Sequence, residues 1–146
     1  MSNGGNMKRI RGKRVLAAAI KAVVIAGGHW DQHFWISGKY FDNYAKVATG
    51  TELRDVLTRN VRGTTSCVAG TAIILTLPES GTYEYGSDMI RLKDGTRMFA
   101  PDYAQDALGL DDGEATWLFA SHRSKADVMQ ALDLLIAGKR LYTLMH

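Results

Sequence analysis

His29 and His33 stand four residues apart with Asp31 between them, the spacing that places two imidazoles on one helical face. A zinc protease needs a glutamate directly after the first histidine, and Trp30 holds that place. Zinc would also need a third ligand from far along the chain, such as His122. Gly27 and Gly28 come immediately before and work against a regular helix here. The pair reads as partly exposed loop histidines, with no metal and no other cofactor expected. Cys67 is the only cysteine, which rules out an intramolecular disulfide and a cysteine-rich zinc site and fits a reducing compartment. As a nucleophile it would need a histidine beside it and a lowered pKa. Its surroundings turn apolar downstream through Val68, Ala69 and Gly70, the setting of a small packing residue. Thr64, Thr65 and Ser66 then read as caps for the helix that follows. The chain holds no phosphate-binding loop, paired-carboxylate motif or Gly-x-Ser-x-Gly elbow, so no catalytic residue is assigned and no enzyme activity is expected.

Two groups of residues remain as binding candidates. Residues 29–44 hold six of the 13 aromatics: Trp30, Phe34, Trp35, Tyr40, Phe41 and Tyr44. Such density either anchors a core or forms a recognition surface, burial being the commoner fate. Trp30, Phe34, Trp35 and Tyr40 are the candidate protein contacts. The second group is Lys8, Arg9, Arg11, Lys13 and Arg14. With Lys21 they give residues 1–30 six basic side chains and no acidic one, whereas the remainder of the chain is net −3. Such an arm attracts phosphate or an acidic protein surface, although five positive charges without a reading element specify no sequence. A helix-turn-helix outline over residues 103–121 offers none. Its second helix would open on Asp111, Asp112 and Glu114, which repel phosphate.

The elements that must position these residues follow from periodicity and caps. Over residues 11–26, Leu16, Ile20, Val23 and Val24 share one helical face, with Arg11, Arg14 and Lys21 roughly opposite and facing outward. A basic stretch before an apolar run also outlines a signal peptide. Lys21 interrupts that run, no small-x-small cleavage site follows, and the run is too short to span a bilayer. The segment reads as a domain helix, and the location as cytoplasmic with no membrane partner. Thr49-x-x-Glu52 forms a capping box for a helix to about residue 60, with Leu53, Val56 and Leu57 inward. Residues 65–77 suit a helix buried on several sides, a buried strand being the competing reading, and Pro78 ends either. Asp94-Gly95 signals a type I′ hairpin joining residues 89–92 to 96–99, with 82–85 available as a third strand. Three short helices complete the chain. Pro101 opens the one that ends at Gly109, Asp111-x-x-Glu114 opens the second, and Ser124-x-x-Asp127 opens the last, with Val128, Leu132, Leu135 and Ile136 inward.

The expected fold is α+β and predominantly helical, with five or six helices and one small antiparallel β-hairpin. Residues 1–10 form a flexible basic arm, and 11–146 a single domain, a length that folds without a staple.

Trp30-Asp31-Gln32 with Trp35, then Gly63-Thr64, then Cys67-Val68-Ala69-Gly70-Thr71-Ala72 resemble an uncharacterised family of small proteins from actinobacteria and their bacteriophages. Leu108-Gly109-Leu110, Glu114-Ala115 and Leu118-Phe119 continue the likeness, which covers residues 26–119 in islands. A second cysteine common in that family is Arg62 here, and an aromatic after Ala-Gly is Thr71. The resemblance implies a phage setting and no mechanism. Taken with the missing catalytic groups, it points to a non-catalytic interaction protein, a phage accessory factor binding a host or phage protein. The alternative is a protein associated weakly and non-specifically with nucleic acid through the basic arm.

Overall fold

The computed structural model describes residues 9–26, 30, 36–37, 47–58, 65–84 and 87–145. Among them are six helices: α1 (Lys13–Ala26), α2 (Gly50–Thr58), α3 (Val68–Thr76), α4 (Ala100–Leu108), α5 (Asp112–Leu118) and α6 (Lys125–Ile136). β1 (Ile36–Ser37) pairs antiparallel with β3 (Thr65–Ser66). A separate four-stranded antiparallel sheet runs β2 (Val47–Thr49), β4 (Thr82–Glu84), β5 (Met89–Arg91), β6 (Arg97–Phe99). The fold is α+β and helix-dominated, as its patterning predicts, but the hairpin is part of a larger sheet. β2 is three residues long, too short to alternate visibly, and it joins only through β4.

α3 is the centre of the molecule, with its residues from Val68 to Leu75 all buried. An apolar helix without a polar face can only be surrounded. α4, α1 and α2 pack around it, and α6 packs chiefly on α1. Small side chains at Ala69, Gly70 and Ala72 let these neighbours approach. The sheet turns Ala48, Tyr83 and Ile90 inward as one cross-strand row, which Met98 extends at the half-buried edge. Gly50 marks the tightest junction. A Cβ there would lie 2.3 Å from the Leu77 carbonyl oxygen, so only glycine lets α2 start against the end of α3.

Helix starts follow the expected local chemistry. Thr49 and Glu52 exchange hydrogen bonds at 3.0 and 3.1 Å, and Asp111–Glu114 and Ser124–Asp127 form complete capping boxes. At α3 the reading needs correction. Cys67 itself is the N-cap, its sulfur accepting the Gly70 N–H at 3.4 Å, while Thr65 and Ser66 lie in β3 and Thr64 falls outside the described residues. The hairpin turn also differs. Gly95 has φ +91° but Asp94 is not left-handed, so the loop is three residues, Lys93 to Gly95, in place of a two-residue type I′ turn. The Asp94 carboxylate accepts the Thr96 N–H at 2.9 Å and holds that longer loop. In α6, Val128, Ala131 and Leu132 are buried while Leu135 and Ile136 are half-buried. Val56 and Leu57 lie outside the described side chains.

The ends of α4 and α6 close locally through the left-handed Gly109 and Gly138, and cations from elsewhere in the chain add to these ends or close the others. α3 ends before Pro78, which has no N–H to offer the Ile74 carbonyl four residues back. The Arg54 guanidinium donates instead, to the Ile74 oxygen at 3.1 Å and the Leu77 oxygen at 2.7 Å, and the Ile10 N–H donates to the Leu75 oxygen at 2.7 Å. Arg14 donates to the Ile136 carbonyl at the end of α6, Arg123 to the Trp117 carbonyl in α5, and Arg140 to the Gly109 carbonyl after α4. Gly109 takes φ +68° at that last site, with the Lys13 side chain lying across it.

Candidate interaction surface

Cys67 is a buried thiol. It is 2% exposed, and desolvation pushes its pKa up to about 11 against the opposing pull of the Gly70 and Ala69 N–H groups. The Thr71 hydroxyl donates to the Cys67 carbonyl at 2.7 Å and pairs with the Ser66 hydroxyl at 2.8 Å, so the neighbouring polar groups serve the helix start. His29, Asp31 and His33 lie outside the described residues. Among the described residues no three His, Cys, Asp or Glu side chains converge as a metal site would require.

A buried polar cluster ties the C-terminal tail to α5. Glu114 is fully buried and accepts the N–H groups of Asp111 at 3.0 Å and Leu141 at 2.8 Å. Arg140 pairs with the same carboxylate and, at 3.3 Å, with Asp111. The Tyr142 hydroxyl donates to Asp111, the largest influence holding that carboxyl below its usual range, followed by the Glu114 N–H. Every group in this cluster has an internal partner, so its chemistry is structural. A cavity of about 320 Å³ between the start of α1 and α4 is lined mainly by Ile10, Leu16, Met98, Tyr103 and Ala107. Its interior polar groups, Thr76 and Tyr103, bond each other at 3.3 Å.

Trp30 is half-buried, packed on the core and bridged to Ser66. Phe34, Trp35 and Tyr40 lie outside the described residues. Lys8 does too, while Arg9 is half-buried and Arg11 exposed. Lys13 lies over Gly109 and Arg14 reaches the end of α6, both on the exposed surface.

α1 departs most from its expected role. Leu16, Ala17, Ile20 and Val24 are buried, but the charged residues do not form the opposite face. Lys21 meets Asp133 of α6 at 2.6 Å, and Arg14 also turns onto α6. The face left outward is apolar: Val15 is 60% exposed, Ile25 is 58% exposed, and Ala18 and Ala22 lie exposed between them. Those four recur at steps of three, four and three, the spacing of one helical stripe. That 3-4-3 spacing was legible in the sequence, but two apolar stripes on one helix do not reveal which one the fold covers.

No family model, curated protein or solved structure matches this chain. Among the described residues no helix is long and apolar enough to cross a membrane.

Proposed function

We propose that the protein is a non-catalytic interaction protein whose contact surface is the outer stripe of α1, serving as a phage accessory factor that binds a host or phage protein. The exposed row Val15, Ala18, Ala22 and Ile25 carries this reading. Apolar side chains aligned over three turns of a well-packed helix are the half-interface that helix-in-groove and helix-pair recognition use.

The test is affinity capture from bacterial lysate on immobilised full chain, with and without nuclease, using wild type and Ala22→Arg. Nuclease-resistant protein capture that Ala22→Arg abolishes is expected. Capture that nuclease removes entirely and Ala22→Arg leaves untouched overturns the reading in favour of nucleic acid through Lys8, Arg9 and Arg11. With Lys13 and Arg14, which lie exposed at helix ends, the arm offers five charges and a log–log salt slope no steeper than about −4.5 on duplex DNA.

A further inference from the structure

We infer that the occupant of the α1 stripe is a second copy of this chain, the two first helices pairing antiparallel about a two-fold axis level with Ile20. This rests on the preceding reading of α1 as a contact surface: two copies cover each other's stripe when no other partner is bound, and a host or phage protein takes the face by displacing the second copy. The stripe has the same spacing read in either direction. Val15 and Ile25 lie five residues on either side of Ile20, and Ala18 and Ala22 lie two residues on either side. An antiparallel two-fold therefore sets Val15 against the partner's Ile25 and Ala18 against the partner's Ala22. A two-fold interface needs such a self-complementary patch. Large residues close the two ends, about 15 Å apart along the helix. The alanines between them allow the axes to approach to about 8 Å.

Charge selects the direction. α1 contains no acidic residue, and Arg11, Lys13 and Arg14 gather at its start. Parallel pairing would bring both basic ends together. Antiparallel pairing separates them and lays each beside the negative end of the other helix dipole. Arg14 and Lys21 are held aside by Ile136 and Asp133, so neither charge lies across the stripe. One helix face buries less than the roughly 800 Å² per partner of a standard interface, so the pair dissociates on dilution.

Sedimentation velocity of the full chain from about 1 µM to about 500 µM tests the pairing. A monomer at the bottom of the range and a dimer at the top are expected, with Ala22→Arg monomeric throughout. Direction is read by disulfide trapping, which requires Cα atoms within about 7 Å. Val15→Cys mixed with Ile25→Cys should cross-link, and either variant alone should not, while Cys67 stays silent inside the core. A wild type that is monomeric throughout overturns self-pairing. Should Ala22→Arg still lose captured protein in that case, α1 remains a contact surface for a different partner. An Ala22→Arg variant that dimerises like wild type overturns both the pairing and the use of this face. Cross-linking of Ile25→Cys with itself overturns the antiparallel arrangement.

Discussion

Helix starts and helix ends in this molecule are closed by different means. Thr49, Asp111 and Ser124 each satisfy a start with a side chain three residues from its partner, and Cys67 does so with sulfur. The end of α3 depends on Arg54, which lies 20 residues before Ile74, while at the end of α6 Arg14, 122 residues before Ile136, adds a bond beside the local Gly138 turn. The cause is geometric. A side chain at the N-cap reaches the free N–H groups of its own first turn, because those groups point back toward it. Free carbonyls at the other end point away from the chain that made them, toward whatever packs there. A glycine turn can fold back onto them, as at Gly109 and Gly138, but before Pro78 a long donor is needed, and arginine offers five N–H groups on a flexible stem. Local closure sets where a helix begins. Distant closure ties helices to one another.

Glu114 breaks this division, because it closes the start of α5 and also receives the Leu141 N–H and Arg140 from the tail. Removing it should have the largest effect. Glu114→Ala leaves a buried N–H unpaired and frees Arg140, at a cost of about 3–5 kcal/mol in urea unfolding. It should also expose the tail after Leu141 to limited proteolysis before the remainder of the domain. Global unfolding without early tail cleavage would show that Glu114 serves only its own helix.

Arg54 is the purer case of distant closure. Burial lowers its pKa, and the exposed Glu79 carboxylate 3.6 Å away opposes that. Arg54→Met keeps the buried stem but leaves the Ile74 and Leu77 carbonyls without their donor, which should cost about 2–3 kcal/mol. Arg54→Lys should recover less than half of the loss, because a single ammonium does not reproduce the guanidinium fork. Full recovery by lysine would reduce the role of Arg54 to charge alone.

Cys67 sharpens the local side of the comparison. A sulfur cap is a weak acceptor, so Cys67→Ala should cost only on the order of 1 kcal/mol, most of it a small cavity. With the thiol pushed up to about 11, a maleimide probe at neutral pH should label native protein slowly and denatured protein quickly. Rapid native labelling would return the residue to chemistry.

The smallest effect lies at the surface. The Asp111 carboxyl is held below its ordinary range, chiefly by Tyr142. A depressed acid stabilises the fold fully above its unfolded value near pH 4, and that contribution is lost as pH falls through the folded value. Tyr142→Phe should therefore lower the melting temperature slightly at pH 7, and the difference should shrink as pH falls below about 4. A difference that persists in acid would assign the effect to packing of the ring.

By itself the sequence determined what depends on near neighbours along the chain. The capping boxes at Thr49, Asp111 and Ser124, the Gly109 stop and the inward row of α1 at Leu16, Ile20 and Val24 all express spacings of three or four residues. The buried setting of Cys67 followed from its apolar neighbours in the same way. Tertiary structure decided whatever joins residues far apart. It recruited Val47–Thr49 as an edge strand, sent Arg14 and Lys21 onto α6, and buried Arg54 under the end of α3. It also chose which of two apolar stripes on α1 stayed outward. Val15, Ala18, Ala22 and Ile25 have as good a periodicity as the buried row. Periodicity states that a face is apolar, and only the packing of α3, α4 and α6 on the other side left this one to solvent.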